Sequence, residues 1–419
     1  MQPFPPPGFI PTKSTIAGID VYKPAPQREK HQEAVLFQCP QCGGQTAFSA
    51  ADGGLVCEGC GYQEAPEHAA LGRQAESFEF KVTTMQQASH GWGIERKAMQ
   101  CQNCGSQISI EAGVLTTACP FCSSNNVIQY KAPQDVLRPR FLIPFKIDDS
   151  QCHQIARDWL GSSWMVPKAL QRVAAVETFT PLYLPFWTFG ATAAASWKAQ
   201  VGHTKTRRDS KGRTHTTTEW RWESGHVERE FADMLVRGTN HVSLHLLEQI
   251  NQYKLDDLAA YEAKYLAGSH AQAYEIPLEE AWEQARHTMR ETTKAACRAQ
   301  ASTNKIRNFS MQLDFGAENW RYILLPVYIN TYYYNNEPFQ LLLNGQTGAI
   351  AGQRPADWRK VGLVAASLFI PAIVLFFFLL IFMINSLEGG GGFMVALLFV
   401  AAVFVAVYFA YQAQNLDKV

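Results

Sequence analysis

The sequence Cys39-Pro-Gln-Cys42-Gly43 is followed, after fourteen residues counted from Cys42, by Cys57-Glu-Gly-Cys60-Gly61. A second copy further along the chain has the same C-x2-C-x14-C-x2-C spacing. Each Cys-x-x-Cys forms a tight knuckle that presents two thiolates to one ion, and the glycine after it supplies the positive φ that such turns favour. This spacing therefore predicts two zinc ribbons. The eight predicted ligands are Cys39, Cys42, Cys57, Cys60, Cys101, Cys104, Cys119 and Cys122.

Four thiolates around one ion leave no open coordination position, so the two zinc ions are expected to be structural and not catalytic. The fourteen residues inside ribbon 1 predict a hairpin, with strands at Ala47-Phe48 and Leu55-Val56. The alternative is a redox role for the Cys-x-x-Cys pairs, which two matched quartets do not favour. Met1 to Pro11 is not a secretory signal, which also favours metal ligands over disulfides.

The other chemistry-bearing residues predict no active site. His241 and His245 are four residues apart and could reach one metal, but without a third ligand they are expected to be ordinary surface or capping residues. Cys152 and Cys297 are interpreted as buried or idle thiols. The chain lacks G-x-S-x-G, H-E-x-x-H and G-x-x-x-x-G-K-[ST]. The sequence therefore offers no residue as an acid, base or nucleophile, and the expectation is a protein that is not an enzyme. The alternative that stays open is an enzyme acting on lipid or protein at the membrane, with its residues unknown.

The charge pattern argues against nucleic acid as the partner of the ribbons. The chain has 37 basic and 37 acidic residues, and residues 39–62 and 101–130 contain no Lys or Arg. Similar ribbons in transcription factor B and primosomal helicases often meet nucleic acid, but phosphate contacts need cations. The only basic cluster lies at a predicted hairpin tip, which is either a solvated loop or a contact for anionic lipid or an acidic partner. Its members are Lys205, Arg207, Arg208, Lys211 and Arg213.

Between the ribbons and the C-terminus, the pattern predicts an α+β region with two related β-meander/helix units. Leu184-Pro-Phe-Trp187 matches Leu325-Pro-Val-Tyr328, and Gly202-His-Thr204 matches Gly345-Gln-Thr347. Apolar residues at helical spacing predict one helix after Ser150, as its cap, and another after Pro277. In order, the predicted segments are a disordered proline-rich arm (1–35), zinc ribbon 1 (36–64), a connector (65–97), zinc ribbon 2 (98–130), α+β unit 1 (131–232), a helical segment with α+β unit 2 (233–357), and a membrane segment (358–419).

The last sixty residues contain two apolar runs without charge, 361–384 and 393–411. As helices they would be roughly 36 and 28 Å long, against a bilayer core of about 30 Å. The polar linker with Gly389 to Gly392 could turn the chain around, so the sequence predicts a two-helix transmembrane hairpin rather than a buried hairpin of a soluble core. Basic residues precede the first run and none lies in the linker. The prediction is thus a two-span protein of the inner membrane, with both termini cytoplasmic.

The order of these motifs resembles a bacterial family. The two ribbons are followed by Leu142-Ile-Pro-Phe145, Trp164-Met-Val-Pro167, Tyr183-Leu-Pro-Phe-Trp187, Leu324-Leu-Pro-Val-Tyr328 and Asn344-Gly-Gln-Thr-Gly348. This arrangement is similar to that of membrane proteins often labelled zinc-ribbon or primosomal-helicase-like. The resemblance covers most of residues 39–411. The helicase label does not carry over, because the chain has no nucleotide-binding loop.

The resemblance implies a membrane-stress adaptor of the phage-shock type. Relatives are encoded beside a phage-shock-protein-A-type coat protein and a stomatin/flotillin-type membrane protein, which are the implied partners together with the lipid bilayer. The expected function is therefore a membrane-anchored scaffold that recruits these proteins. The alternative is a membrane-tethered zinc-ribbon protein that binds nucleic acid through Lys205 to Arg213. The proline-rich arm and the polar hairpin tip depart from the family pattern.

Overall fold

The computed structural model describes residues 9–12, 21–24, 37–65, 71–72, 75, 77–79, 92, 96–111, 118–122, 124–131, 136–168, 170, 179–208, 214–334 and 337–385, with the single positions 404, 408 and 411. The strands are β1 (Phe9–Thr12), β2 (Val21–Pro24), β3 (Thr46–Ser49), β4 (Gly54–Cys57), β5 (Gln63–Glu64), β6 (Phe78–Glu79), β7 (Arg96–Cys101), β8 (Gln107–Glu111), β9 (Val127–Lys131), β10 (Phe141–Leu142), β11 (Thr180–Arg208), β12 (Thr214–Arg237), β13 (Ala259–Ala260), β14 (His270–Ala271), β15 (Ile306–Tyr334), β16 (Glu337–Asn344) and β17 (Ile350–Gly352). The helices are α1 (Asp149–Gly161), α2 (Leu244–Ile250), α3 (Leu278–Ala299) and α4 (Trp358–Asn385), with 3-10 turns at Leu255–Asp257 and Ala263–Leu266.

A 12-stranded sheet organises the fold. Strands β11 and β15 pair antiparallel along most of their length and form its centre. Strand β12 pairs with β11, and β16 pairs with β15. The outer part of β11, with β12 and the first half of β15, extends from this centre as a three-stranded β-arm. Strands β3, β4 and β5 form a separate three-stranded sheet, and β1 pairs with β2.

A local two-fold relation connects the two halves of the sheet. Leu184 lies opposite Leu325, and each leucine is followed by a proline. Beyond each hairpin, a glycine N–H returns to that proline: Gly238 donates to the Pro185 carbonyl at 2.8 Å, and Gly345 to the Pro326 carbonyl at 2.9 Å. The Leu-Pro motifs are therefore equivalent positions of two structural units.

The equivalence extends to the segments that start α1 and α3. The N–H groups of Lys146 and Ile147 donate to the Gly345 carbonyl, and those of Glu275 and Ile276 donate to the Gly238 carbonyl. Each helix start is thus tied to the glycine that ends the hairpin of the other unit. Because these ties cross between the units, neither half can open without breaking bonds in the other.

The predicted match of Gly202 with Gly345 is wrong. Gly202 lies within β11, opposite Trp220, and the glycine equivalent to Gly345 is Gly238. The first hairpin is longer than the second because its strands continue into the β-arm, so the closing glycine comes much later in the chain. A short sequence match could not register this insertion.

Both predicted helices are present, with corrected details. The N-cap of α1 is Asp148 and not Ser150: the Asp148 side chain accepts from the backbone N–H of Gln151, and the Gln151 side chain bonds back to the Asp148 N–H. This is a complete capping box. Helix α3 begins at Leu278, directly after Pro277. Its buried face is Leu278, Ala281, Trp282, Ala285, Met289, Thr293 and Cys297.

The core lies between the centre of the sheet and these helices. Trp187 is fully buried, and its Nε1 donates to the Ile276 carbonyl at 3.0 Å. Its ring packs against Trp320 and Tyr322, with centroids 5.9 and 5.0 Å away. Since truncation of a buried aromatic costs about 3–5 kcal/mol, this cluster holds β11 and β15 together at the crossing of the two units.

The predicted fold class is wrong in its share of helix and strand, and in the two-helix transmembrane hairpin at its C-terminus. The described chain is mostly β-sheet in one large sheet, not an α+β region of two separate meanders. Residues 1–8, 13–20 and 25–35 of the predicted proline-rich arm lie outside the described residues. Most of the second predicted span, 393–411, also lies outside them.

The predicted transmembrane hairpin and inner-membrane localisation are contradicted. Among the residues that the structure describes, no helix is long and apolar enough to cross a membrane. Helix α4 begins inside the folded body: Val361 is buried with Met165 and Ala356, and the Lys360 ammonium donates to the Val166 carbonyl at 3.2 Å. An apolar run measures composition alone, so the sequence did not reveal that its first turn packs on the loop after α1.

Candidate metal centres

Ribbon 1 brings its four predicted cysteines together. The Sγ atoms of Cys39 and Cys60 are 3.4 Å apart, and those of Cys42 and Cys57 are 3.5 Å apart. All four sulfurs lie within 4.8 Å of one another. The predicted hairpin is also present, because Ala47 pairs with Val56 and Phe48 with Leu55.

Ribbon 2 repeats this arrangement with the same pairing of first with fourth and second with third cysteine. Cys101 and Cys122 have Sγ atoms 3.6 Å apart, as do Cys104 and Cys119. Ser106 adds its hydroxyl, which lies 3.2 Å from the sulfurs of both Cys104 and Cys119. The sequence analysis missed this serine, although its place two residues after a ligand marks it as a neighbour of the site.

The geometry of both clusters fits one tetrahedral metal ion each. A zinc–sulfur bond of about 2.3 Å places the sulfurs of a tetrahedral site about 3.8 Å apart, close to the observed separations. The knuckle turns are also formed: Gly43 has φ 73° and Gly105 has φ 76°, and each donates its N–H to the first cysteine carbonyl of its ribbon. Each cluster can therefore hold a metal ion through four thiolates.

The pKa of the first cysteine is lowered in each ribbon. Burial raises the pKa of the Cys39 thiol, but N–H groups of Cys42 and Gln41 outweigh it, and the pKa falls to about 7. Cys101 has the same balance, with N–H groups from Cys104 and Asn103 and a pKa of about 7. Burial raises the pKa of Cys119 to about 12. Since a thiolate is the ligand form, a bound metal ion would supply the charge that holds a thiol such as Cys119 deprotonated.

Ribbon 1 is docked on the body through a small contact. The Phe48 N–H donates to the Ala267 carbonyl at 3.1 Å, and the Phe48 ring lies 5.3 Å from that of Tyr265. The Lys264 ammonium pairs with Glu64 and lowers the pKa of that carboxyl. Because this ion pair is partly exposed, it contributes only about 1 kcal/mol or less. Ribbon 1 is therefore a module attached to the surface.

Ribbon 2 is part of the central sheet. Its strands β7, β8 and β9 are three of the twelve strands, and β8 pairs with β14 at Ser109 and Ala271. The segment with the second cysteine pair is bonded to the core strands: the Thr331 hydroxyl and the Gln340 amide both donate to the Phe121 carbonyl. The Cys119 side chain and the Phe121 ring are buried in the core. A metal ion held by this cluster would therefore be coupled directly to the main fold.

The other singled-out residues do not form a site. His241 pairs with Glu275 at 2.8 Å. Burial raises the pKa of the Glu275 carboxyl, but the bonds from His241 and from the Asn240 N–H outweigh burial, so the pKa is lowered. His245 is exposed and lies outside the two metal clusters found among the described residues. Cys152 is fully buried, which raises the pKa of its thiol. Cys297 is also buried, with its sulfur 3.8 Å from that of Met311.

The basic cluster is only partly described. Lys205 pairs with Glu219, which also accepts from Arg221, so this part is an ion-pair network on β11 and β12. Lys211 and Arg213 lie outside the described residues.

Comparison with known proteins supplies one relative. The chain is similar to "Uncharacterized protein YdjG" of Bacillus subtilis (strain 168), with 24% identity over 329 residues, which span 78% of this chain and 92% of the relative. No protein-family model matches the chain, and no solved structure matches it. The phage-shock resemblance therefore stays a prediction, whereas the two cysteine clusters are compatible with two zinc ribbons.

Proposed function

We propose that this protein is a zinc-stabilised adaptor, in which two closed metal sites hold a β-sheet scaffold that binds partner proteins. The observation that carries the proposal is the pair of four-cysteine clusters, one docked on the scaffold and one built into its sheet. A site with four thiolates has no position for substrate, so its contribution is to folding. Zinc is the proposed metal because tetrahedral sulfur sites in ribbons of this spacing favour it.

The exposed face of ribbon 1 supports a protein partner. Cys42 and Cys60 lie on the exposed side of the cluster, while Cys39 and Cys57 are buried. Residues 39–62 offer no cation for phosphate contacts. The ribbon therefore presents a knuckle surface without Lys or Arg on the exposed side of its cysteine cluster. The proposed partners are those that the family resemblance implies, a phage-shock-protein-A-type coat protein and a stomatin/flotillin-type protein.

The test is binding of the purified full-length protein to each of these two candidate partners. The variant Cys39→Ser with Cys42→Ser removes half of the ligands of ribbon 1 and is expected to abolish binding, because the knuckle unfolds without its metal. Cys152→Ser is the matched control, since it also replaces a buried cysteine but lies outside both clusters.

Thermal unfolding of both variants must show that the scaffold stays folded. Loss of binding in the ribbon 1 variant alone supports the proposal. Unchanged binding in that variant removes ribbon 1 as the docking surface, and absence of binding by the wild-type protein to either candidate refutes the proposed partners.

A further inference from the structure

The distal β-arm, defined as residues 196–208 of β11, 214–226 of β12 and 306–312 of β15, has two unlike faces. On the inner face, Trp197 and Ala199 are buried with Cys297 of α3. The intervening residues of β11, such as Lys198, point to the other face, because side chains alternate along a strand. On this outer face, Trp222 of β12 is 55% exposed.

Two tryptophans lie on the outer face, one strand period apart. Trp220 is opposite Gly202, and Trp222 is opposite Gln200. A Cβ added at Gly202 would be 3.2 Å from the Trp220 ring, so the missing side chain lets this indole lie across β11. Positions i and i+2 of a strand are about 6.6 Å apart, so the two rings form a continuous row along the sheet.

Each tryptophan is flanked by a cation. The Arg307 guanidinium lies 4.1 Å from the centroid of Trp220, and the Lys198 ammonium lies 5.0 Å from that of Trp222. Gln200 fixes the first pair, because its side-chain oxygen accepts from Arg307 Nε at 2.8 Å. The outer face therefore alternates flat π surfaces with positive charge, at geometries set by the strands.

The distal β-arm carries a net positive charge, although the whole chain is neutral. It contains six Lys or Arg residues and two Glu residues, whereas the whole chain has equal numbers of both signs. Both glutamates, Glu219 and Glu223, alternate onto the inner face. Glu219 pairs with Lys205 and Arg221, and Glu223 accepts from Ser302. Within the described distal β-arm, no acidic residue lies on the outer face.

We propose that this outer face binds single-stranded nucleic acid, with a base stacked on the exposed ring of Trp222 and phosphates held by Lys198 and by Arg307, which covers Trp220. Sheet surfaces that combine exposed aromatic rings with cations bind single strands in this way, because every base has a π face and every linkage a negative charge. An acidic peptide would use the cations but would not cover the exposed ring of Trp222. The activity goes beyond the proposed adaptor function and uses a surface far in sequence from ribbon 1.

The experiment measures fluorescence polarisation of labelled oligo-dT and oligo-U, each about 15 nucleotides long, with full-length protein at about 50 and about 200 mM salt. Wild-type protein is expected to bind both, more weakly at high salt. Trp222→Ala is expected to weaken binding about tenfold or more, as loss of one stacked base does. Lys198→Ala with Arg307→Ala is expected to weaken binding and to lower the salt slope by about one to two.

Two control variants match these changes elsewhere on the surface. Trp358→Ala removes another half-exposed indole, and Arg290→Ala removes an exposed cation of α3; both are expected to bind like the wild type. Trp222→Phe keeps an aromatic ring and is expected to restore much of the binding. Thermal unfolding checks that Trp222→Ala stays folded. Because the Trp222 side chain is half-exposed, this substitution is expected to change Tm only slightly.

Three results would overturn the proposal. The first is that the wild-type protein does not bind the oligonucleotides at low salt, and the second is that wild type and Trp222→Ala bind them equally. The third is that the wild-type protein binds poly-glutamate or phosphatidylglycerol vesicles as tightly as it binds the oligonucleotides. Because ribbon 1 is intact in all these variants, failure here leaves the adaptor proposal to its own test.

Discussion

Removing one metal ligand from each ribbon is expected to affect the molecule unequally. Cys42→Ser opens ribbon 1, which touches the body mainly through Phe48 and an exposed ion pair. Cys104→Ser opens ribbon 2, whose second knuckle is bonded to β15 and β16. The first variant should lose one module, whereas the second should destabilise the whole sheet.

The magnitude for ribbon 2 follows from what its second knuckle contributes to the core. Phe121 is 8% exposed, and release of such a side chain costs about 1.5–3 kcal/mol. Thr331, Gln340 and Tyr333 donate to carbonyls of this knuckle, at about 1 kcal/mol each. The sum is about 5 kcal/mol, which corresponds to a fall in Tm of roughly 10 °C or more for a domain of this size.

Scanning calorimetry of the full-length protein measures this difference. Cys104→Ser should lower the main transition by roughly 10 °C, while Cys42→Ser should leave it within about 3 °C and only loosen ribbon 1. Hydrogen exchange should be faster in β15 and β16 for Cys104→Ser, and faster only in β3 and β4 for Cys42→Ser. Cys152→Ser serves as the buried non-ligand control.

Equal shifts of the main transition in the two ribbon variants would refute this reasoning. So would a larger shift for Cys42→Ser, because it would mean that the attached module, and not the built-in one, supports the central sheet.

Three further predictions concern the body. Gly345→Ala should cost about 1–3 kcal/mol in urea unfolding, since its Cβ would lie 2.5 Å from the Phe145 ring, while Gly316→Ala, with open space, should cost almost nothing; equal costs would contradict this. Burial, and then the charge of Arg96, lowers the pKa of His270 to about 4. Between pH 6.5 and 4 only the unfolded chain binds this proton, so the free energy of unfolding should fall by up to about 3 kcal/mol as the pH is lowered from 6.5 to 4. His270→Gln should make the free energy of unfolding less dependent on pH in this range. Thr331→Val should cost about 1 kcal/mol and speed amide exchange at Phe121 and Cys122; unchanged exchange there would count against the bond.

The metal centres could be predicted from sequence because their signal is local. Eight cysteines at matched spacing specify which sulfurs meet, and glycines such as Gly43 and Gly105 specify the turns. The hairpin of ribbon 1 follows from the same short segment. Where a site is built from residues close in sequence, few alternative structures compete with it.

The relation of the ribbons to the body could not be predicted, because it depends on contacts distant in sequence. The pairing of Ser109 with Ala271, and the bonds of Thr331 to the second knuckle, join segments more than 150 residues apart. The repeated Leu-Pro motif was visible, but the β-arm inserted before Gly238 hid its partner glycine. The packing of Val361 with Met165 is likewise a contact distant in sequence, which apolar composition does not show.

Metal analysis of the full-length protein, purified in reducing buffer without chelator, tests the zinc-stabilised scaffold. Two zinc ions per chain are expected for the wild type and one for Cys39→Ser with Cys42→Ser, whose sheet stays folded around ribbon 2. A wild-type protein that is folded with no bound zinc, or with another metal in its place, would contradict it.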